Sequence, residues 1–270
     1  MSILKRFFQG GWSAASQNKG EVAEILSLDP LDGPVYVVGD VHGCLQAYRS
    51  LEALIFKDAL GFEGVATIVL VGDLVDRGPE TAALIDHLIM RQKEGVRLVC
   101  LMGNHEEMML QFASAPKANL NWLGFGGYET LVSYGLTTDL DDLLRMSERK
   151  LIQTFTAHVP DRHLKFLRTC LPGLQVGKYL LAHAGADADE GLGVQPLRAL
   201  VWGSAGQVAP NDMTLIHGHY IVTKPKVSAT SVAIDTGAYV TGRLTCLRLV
   251  QGQPMFVMTI NEDQLFKELA

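Results

Sequence analysis

Thiols are scarce in this sequence, and none is placed to pair. The four cysteines, Cys44, Cys100, Cys170 and Cys246, are scattered through 270 residues with no CxxC spacing. That excludes a zinc ribbon and fits free thiols in a reducing cytosol, so a cytoplasmic location is expected. A basic excess is also missing. Lysine and arginine number 23 against 29 aspartates and glutamates, a net charge of −6, which argues against a general nucleic-acid binder. No apolar run approaches the roughly 20 residues of a membrane span. No internal repeat, low-complexity tract or linker interrupts the chain. Charged residues make up only 19% against 48% hydrophobic. That balance excludes a disordered chain and allows one large folded domain over residues 1–270.

The first dozen residues, MSILKRFFQGGW, set Ile3, Leu4, Phe7, Phe8 and Trp12 beside Lys5 and Arg6. The apolar part is too short for a secretory signal. Residues 1–33 read as an N-terminal segment that begins as a packed turn or a frayed end. The alternative is an amphipathic contact with a membrane surface or partner through residues 1–12.

A stronger pattern starts at Pro34. The run PVYVV reads as a buried strand, followed by Leu45, Tyr48, Leu51 and Leu54 at helical spacing. VATIVLVG is a second strand, followed by a helix from Pro79 with Leu84, Ile85, Leu88 and Ile89 on its inner face. VRLVCLM is a third, leading into the helical EEMMLQF. Strand, polar loop and helix, three times over, imply βαβ units on a parallel sheet, an α/β fold with its site at the carboxyl ends of the strands. Residues 121–174 read as a helical insertion. The later strands, KYLLAHAG, MTLIHGH, SVAIDTGA, RLTCLRLV and PMFVMTI, are short and turn-linked, as in a mostly antiparallel sheet.

The polar loops carry one kind of chemistry. VGDVHG offers Asp40 and His42; GDLVDRG offers Asp73, Asp76 and Arg77; GNHEE offers Asn104, His105 and Glu106; HAG offers His183; and HGH offers His217 and His219. These are oxygen and imidazole donors without a thiolate, a set suited to Mn, Fe, Zn or Mg. So many such groups left unpaired in one cleft would be costly, and a bound cation cluster resolves the cost. Asp40 and His42, two positions apart, would leave an extended chain on the same side. His87, His158 and His163 lie in helical segments and read as packing or surface residues.

GDVHG, GDLVDRG, GNHE, HAG and GH, in that order between about Val35 and Leu249, resemble the calcineurin-like metallophosphoesterases. The likeness is greatest to the bacterial branch of the phosphoprotein phosphatase family. GNHEEMML, GGYETLVSYG and VAIDTGAYVTGRLTCLRL add to it. The resemblance implies two packed mixed sheets flanked by helices, with two divalent metal ions, manganese foremost, at the strand ends. One metal would take Asp40, His42 and Asp73. The other would share Asp73 and take Asn104, His183 and His219, the last preferred to His217 because Gly218 precedes it. It also implies direct attack by a metal-bridging hydroxide, with Arg77, Asn104 and His105 at the phosphate and His105 as general acid oriented by Asp76.

The resemblance further implies a phosphoserine or phosphothreonine phosphatase, also active on aryl phosphates. The alternatives are a dinucleoside polyphosphate hydrolase, whose members usually read GDLVARG and GNHD, and a non-enzymatic regulator that keeps the fold. One feature departs from the pattern. A second phosphate-binding arginine, expected after HAG, falls on Ser204, with Arg198 and Lys224 as the candidate replacements. Substrate selectivity is then expected from the insertion around Trp122 to Tyr134.

Overall fold

The computed structural model of the chain describes residues 22–28, 33–93, 97–203, 209–210 and 212–261. Residues 1–12, with both readings of them, and Ser204 lie outside the described residues. In chain order the described strands are β1 (Val22–Ala23), β2 (Leu26–Leu28), β3 (Val35–Val38), β4 (Thr67–Leu70), β5 (Arg97–Cys100), β6 (Gly173–Val176), β7 (Tyr179–Ala182), β8 (Gln195–Pro196), β9 (Thr214–His217), β10 (Lys226–Val227), β11 (Ser231–Ala233), β12 (Arg243–Leu249) and β13 (Phe256–Asn261). The helices are α1 (Leu45–Ala59), α2 (Thr81–Lys93), α3 (Asn104–Ser114), α4 (Tyr128–Ser133), α5 (Leu140–Arg145), α6 (Glu148–His158), α7 (Asp161–Leu167), α8 (Leu197–Trp202) and α9 (Ala238–Thr241).

Two sheets form the centre. One runs β13-β12-β3-β4-β5 and the other β10-β11-β9-β7-β6-β2, while β1 and β8 make a small antiparallel ribbon. Side chains alternate across a strand, and here both faces are covered. Val35 and Val37 of β3, Val69 of β4 and Leu247 and Leu249 of β12 meet Leu181, Ile216 and Val232 between the sheets. Tyr36, Val38, Ile68, Leu70 and Cys246 turn the other way, into the layer holding Leu45, Tyr48, Leu51, Leu84 and Leu88 of α1 and α2. Strands buried on both faces read as continuous apolar runs, which is why VYVV and TIVL do not alternate with polar residues.

On α1 the apolar stripe runs through Leu45, Tyr48, Leu51 and Ile55; Leu54, expected inside, is exposed. A 3.6-residue period carries the stripe from Leu51 to Ile55 and leaves Leu54 on the outer side.

Direction is the larger correction. The later strands are not mostly antiparallel: β7, β9 and β11 run parallel at the heart of the second sheet. Within the two central sheets, antiparallel pairing among the described residues is confined to β6–β7, β10–β11, β12–β13 and β12–β3. The segment between β7 and β9 contains α8 and returns the chain in its original direction, as a crossover does.

The insertion's helices join the same core. Trp122, Leu131, Leu143, Leu151 and Phe155 pack there with Phe112 of α3. The helical stretch from Leu140 to His158 is broken after Arg145, and Ser147 caps α6 by accepting from the Lys150 N–H. No helix among the described residues is long and apolar enough to cross a membrane.

Candidate active site

In the first sheet Val38 pairs with Leu70 and Leu70 with Cys100, all in parallel register. The loops after β3, β4 and β5 therefore emerge side by side. The second sheet brings the loops after β7, β9 and β11 to the same edge, because the His219 N–H donates to Asp40 Oδ2 at 2.9 Å. Backbone strain concentrates there. Six non-glycine residues among those described have positive φ, and five of them are His42, Asp73, Asp76, Arg77 and His219. Such conformations cost on the order of 1–3 kcal/mol each and persist where the surroundings enforce them. His42, with φ of 45°, is thus not in the extended geometry expected of it. Its place is set by its N–H donating to Asp73 O at 2.8 Å, which ties the first loop to the second.

Asp73 is the hub. Its Oδ2 lies 3.4 Å from His42 Nε2 and 3.8 Å from His105 Nε2; its Oδ1 lies 3.3 Å from His183 Nε2. Two donor groups result, His42–Asp73–His105 and Asp73–His183–His219, each with its ligand atoms within 4.8 Å of one another. Tautomers follow from the backbone. His42 Nδ1 faces Val75 O at 2.8 Å and His183 Nδ1 faces Val71 O at 3.0 Å, so both Nδ1 atoms carry the proton. Each Nε2 then presents a lone pair. Burial lowers the pKa of His42 to about 3 and of His183 to about 4, which keeps both neutral, as metal ligation requires. Burial would raise Asp73, but the neighbouring imidazoles, His183 first, bring it below the usual carboxylate range.

These residues fit a pair of divalent cations. His183 Nε2 lies 3.0 Å from Asn104 Oδ1, and His219 Nδ1 is 3.0 Å from the same oxygen and 3.1 Å from His183 Nε2. Electron pairs converge with at most one proton, from His219, to share among them. On the other side Asp40 Oδ1 is buried with no hydrogen-bond partner. Burial raises the Asp40 pKa well above normal, reinforced by the charges of Asp235 and Asp73. A cation relieves both conditions. Gly218 and Gly103 make the room, since a Cβ on either would strike Asp40 Oδ1 or Asp73 Oδ1.

Beside this pair stands a second constellation. His105 Nδ1 donates to Asp76 Oδ2 at 2.7 Å. Burial would lower the His105 pKa, but Asp73 and Asp76 outweigh it and raise it. Asp76 also accepts from Trp122 Nε1 at 2.8 Å and from Thr130 Oγ1 at 2.7 Å. Its pKa is raised by burial, and the three donors only partly offset that. Arg77 donates from Nη1 to His42 Nε2 at 3.0 Å, and its N–H donates to Gly126 O at 3.3 Å.

His217 is buried with Nδ1 on Gly218 O and Nε2 unpartnered. Arg198 and Lys224 are exposed. Trp122 and Thr130 are completely buried on Asp76, so the insertion reaches the dyad, and these two residues do not present a substrate-selecting face.

Sequence reasoning also leaves Glu106 without a role. Its carboxylate accepts from four backbone N–H groups, those of Asp73, Leu74, Val75 and Gly103, at 2.8–3.1 Å. Burial and the Asp73 charge raise its pKa to about 7. Asp235, nearly inaccessible and raised to about 6 chiefly by burial, was equally unassigned. GNHEEMML contains Glu106, GGYETLVSYG contains Thr130 and VAIDTGAYVTG contains Asp235, and these segments were the available signal.

A set of imidazoles, carboxylates and one amide that converges on a shared aspartate, with an arginine and a carboxylate-backed histidine alongside, defines a metal-dependent hydrolase of phosphate esters. The profile of the calcineurin-like phosphoesterases matches residues 33–223, and the chain belongs to that family. It is 28% identical over 245 residues to the asymmetrical bis(5'-nucleosyl)-tetraphosphatase PrpE of Geobacillus thermodenitrificans, covering 78% of this chain and 89% of that one. It is 28% identical over 227 residues to serine/threonine-protein phosphatase 2 of Salmonella typhimurium, covering 80% and 92%. The fold matches a crystal structure of a candidate diadenosine tetraphosphatase with a TM-score of 0.61 at 17% identity, over 88% of this chain and 98% of that one.

Proposed function

We propose that this chain hydrolyses dinucleoside polyphosphates, using two divalent cations, manganese foremost, without a phospho-enzyme intermediate. The observation that carries the hydrolytic reading is the sharing of Asp73 between two donor groups, with Arg77 and His105 at their border. The substrate class is supported by relatives named for bis(5'-nucleosyl) tetraphosphates. It displaces the phosphoprotein reading that GDLVDRG and GNHE first suggest.

In this proposal Asp40, His42 and Asp73 hold one cation, and Asp73, Asn104, His183 and His219 hold the other. When bound, the pair supplies Lewis acidity and a water of lowered pKa. Arg77 lays its planar fork on the phosphoryl oxygens and meets the charge that develops there. His105 holds its transferable proton on Nε2, because Nδ1 is committed to Asp76. Asp73 and Asp76 together favour the charged ring, and Asp76 aims it.

The phosphoserine/phosphothreonine reading stands second, on one observation. A histidine held protonated by a buried carboxylate suits a poor leaving group such as the serine alkoxide. The phosphate of a departing nucleotide needs little help.

The test is protein stripped of metal and refilled separately with Mn, Mg, Zn or Fe, assayed on diadenosine tetraphosphate and a phosphoserine peptide side by side. A higher kcat/KM on the dinucleotide is the expected result; the reverse order overturns the substrate assignment. Asp73→Asn should abolish both activities together with metal binding. Near-normal turnover and metal content in that variant would remove the two-metal reading.

A further inference from the structure

Arg77 faces the proposed metal centre on one side and an aromatic ring on the other. Its guanidinium carbon lies 4.9 Å from the centroid of Tyr239, and that ring stands edge-on to His42 at 5.2 Å. Tyr239 sits on α9, a one-turn helix bounded by the left-handed Gly237 and Gly242. The turn is tied down from within: Thr241 Oγ1 donates to Thr236 O at 2.6 Å and to Gly237 O at 3.0 Å, and Thr236 Oγ1 donates to Arg243 O at 2.9 Å. A ring on so rigid a mount, touching a phosphate-type side chain, is nevertheless 36% exposed. It borders a cleft of about 320 Å³ lined by Arg77, Pro79, Ala238, Val240 and Gly242 among others. That volume is at the small end for a ligand pocket, roughly 300–1,000 Å³, and suits one nucleoside.

We propose that this cleft is a nucleoside subsite and that Tyr239 is the ring on which the base stacks. The inference rests on the dinucleoside polyphosphate reading and adds a consequence to it. Because the ring touches Arg77, a base on Tyr239 lies beside the phosphoryl group that Arg77 would hold. We infer the shortest link between the two, a single ribose. The phosphorus attacked is therefore the one that bears the nucleoside. A water oxygen forms the new bond to this α-phosphorus, and a water proton passes to solvent. The bond from α-phosphorus to the α,β-bridging oxygen breaks, and its electron pair stays on that oxygen. A tetraphosphate then gives a nucleoside monophosphate and a nucleoside triphosphate, not two diphosphates.

The experiment uses full-length metal-loaded protein with diadenosine tetraphosphate in ¹⁸O-labelled water, comparing wild type, Tyr239→Phe and Tyr239→Ala. The expected products are AMP and ATP, with the label in AMP. Tyr239→Ala should lower kcat/KM on the dinucleotide, relative to a phosphoserine peptide, by about 5- to 150-fold, the worth of one base–aromatic stack. Tyr239→Phe, which keeps the ring, should retain the wild-type ratio. Two ADP molecules as products, or equal losses on both substrates, would overturn the subsite. If wild type hydrolyses only the phosphopeptide, the substrate reading above fails, and inhibition decides the subsite independently. AMP binding more tightly than inorganic phosphate, with the margin lost in Tyr239→Ala, supports it. Equal inhibition, or a Tyr239-dependent preference for phosphotyrosine with no AMP margin, refutes it.

Discussion

Replacing Glu106 with glutamine preserves shape and removes only acceptor capacity. In the native structure Oε1 accepts from the N–H groups of Leu74 and Val75, and Oε2 from those of Asp73 and Gly103. A glutamine amide has one oxygen. Whichever way it turns, its NH₂ faces two N–H donors, and two buried backbone groups lose their partner. An unsatisfied buried group costs about 1–3 kcal/mol, so at a pH above about 7, where Glu106 is ionised, Glu106→Gln should lose about 2–6 kcal/mol. For a domain of this size 1 kcal/mol shifts Tm by roughly 2–4 °C, which predicts a fall in Tm of roughly 5–20 °C. The loop released is the one that presents Asp73, so metal affinity should fall as well. Thermal unfolding and metal titration of the same preparation measure both. A variant with native Tm and native metal content would show that the 73–75 loop holds its strained shape without the carboxylate.

His105→Asn should leave metal content intact and slow hydrolysis of a phosphoserine peptide by about 10²–10⁴-fold, the usual worth of a general acid. The loss should be much smaller on diadenosine tetraphosphate or an aryl phosphate; equal losses on all three would mean that His105 does not protonate the leaving oxygen. The pH dependence of the metal-free protein has a defined sign. Asp40, Glu106 and Asp235 have folded pKa values above their ordinary ones, the last two at about 7 and about 6. The folded state therefore binds more protons than the unfolded state, and stability falls as pH rises from the ordinary carboxylate range through about 7. Asp73, which is depressed, contributes in the opposite sense but at lower pH. Thermal shifts recorded with and without Mn should show stabilisation by the metal growing across this window. A metal-induced shift independent of pH would contradict the assignment of these buried carboxylates.

Each donor loop is legible in the sequence because it is a short run attached to one strand. Asp40 with His42, or Asn104 with His105, is visible within a few residues. Strand existence is equally local, since VYVV and TIVL are buried on both faces. What escapes is anything set by distant chain segments. The parallel course of β7, β9 and β11 depends on where a long crossover returns. The contacts of Asp76 with Trp122 and Thr130 span 46 and 54 residues, and no periodicity records them. The left-handed conformation of His42 reflects its bond to Asp73 O, not a local preference, so an extended geometry was the natural but incorrect expectation. Glu106 sits in full view inside GNHEE, yet its orientation toward four backbone N–H groups becomes apparent only when the second loop is folded over it.

The grip of the insertion on the Asp76–Arg77 turn bears on how such enzymes can be recombined. Trp122 and Thr130 hold the carboxylate, and Gly126 O receives the Arg77 N–H. A chimera that imports residues 121–134 from a relative, in the hope of transplanting substrate preference, would import a foreign mould for the Asp76–Arg77 turn. Such grafts should fail unless residues 73–78 travel with them, so the exchangeable unit is a pair of segments remote in sequence. Specificity would be better redesigned from α9, whose outer side meets the cleft without holding the dyad.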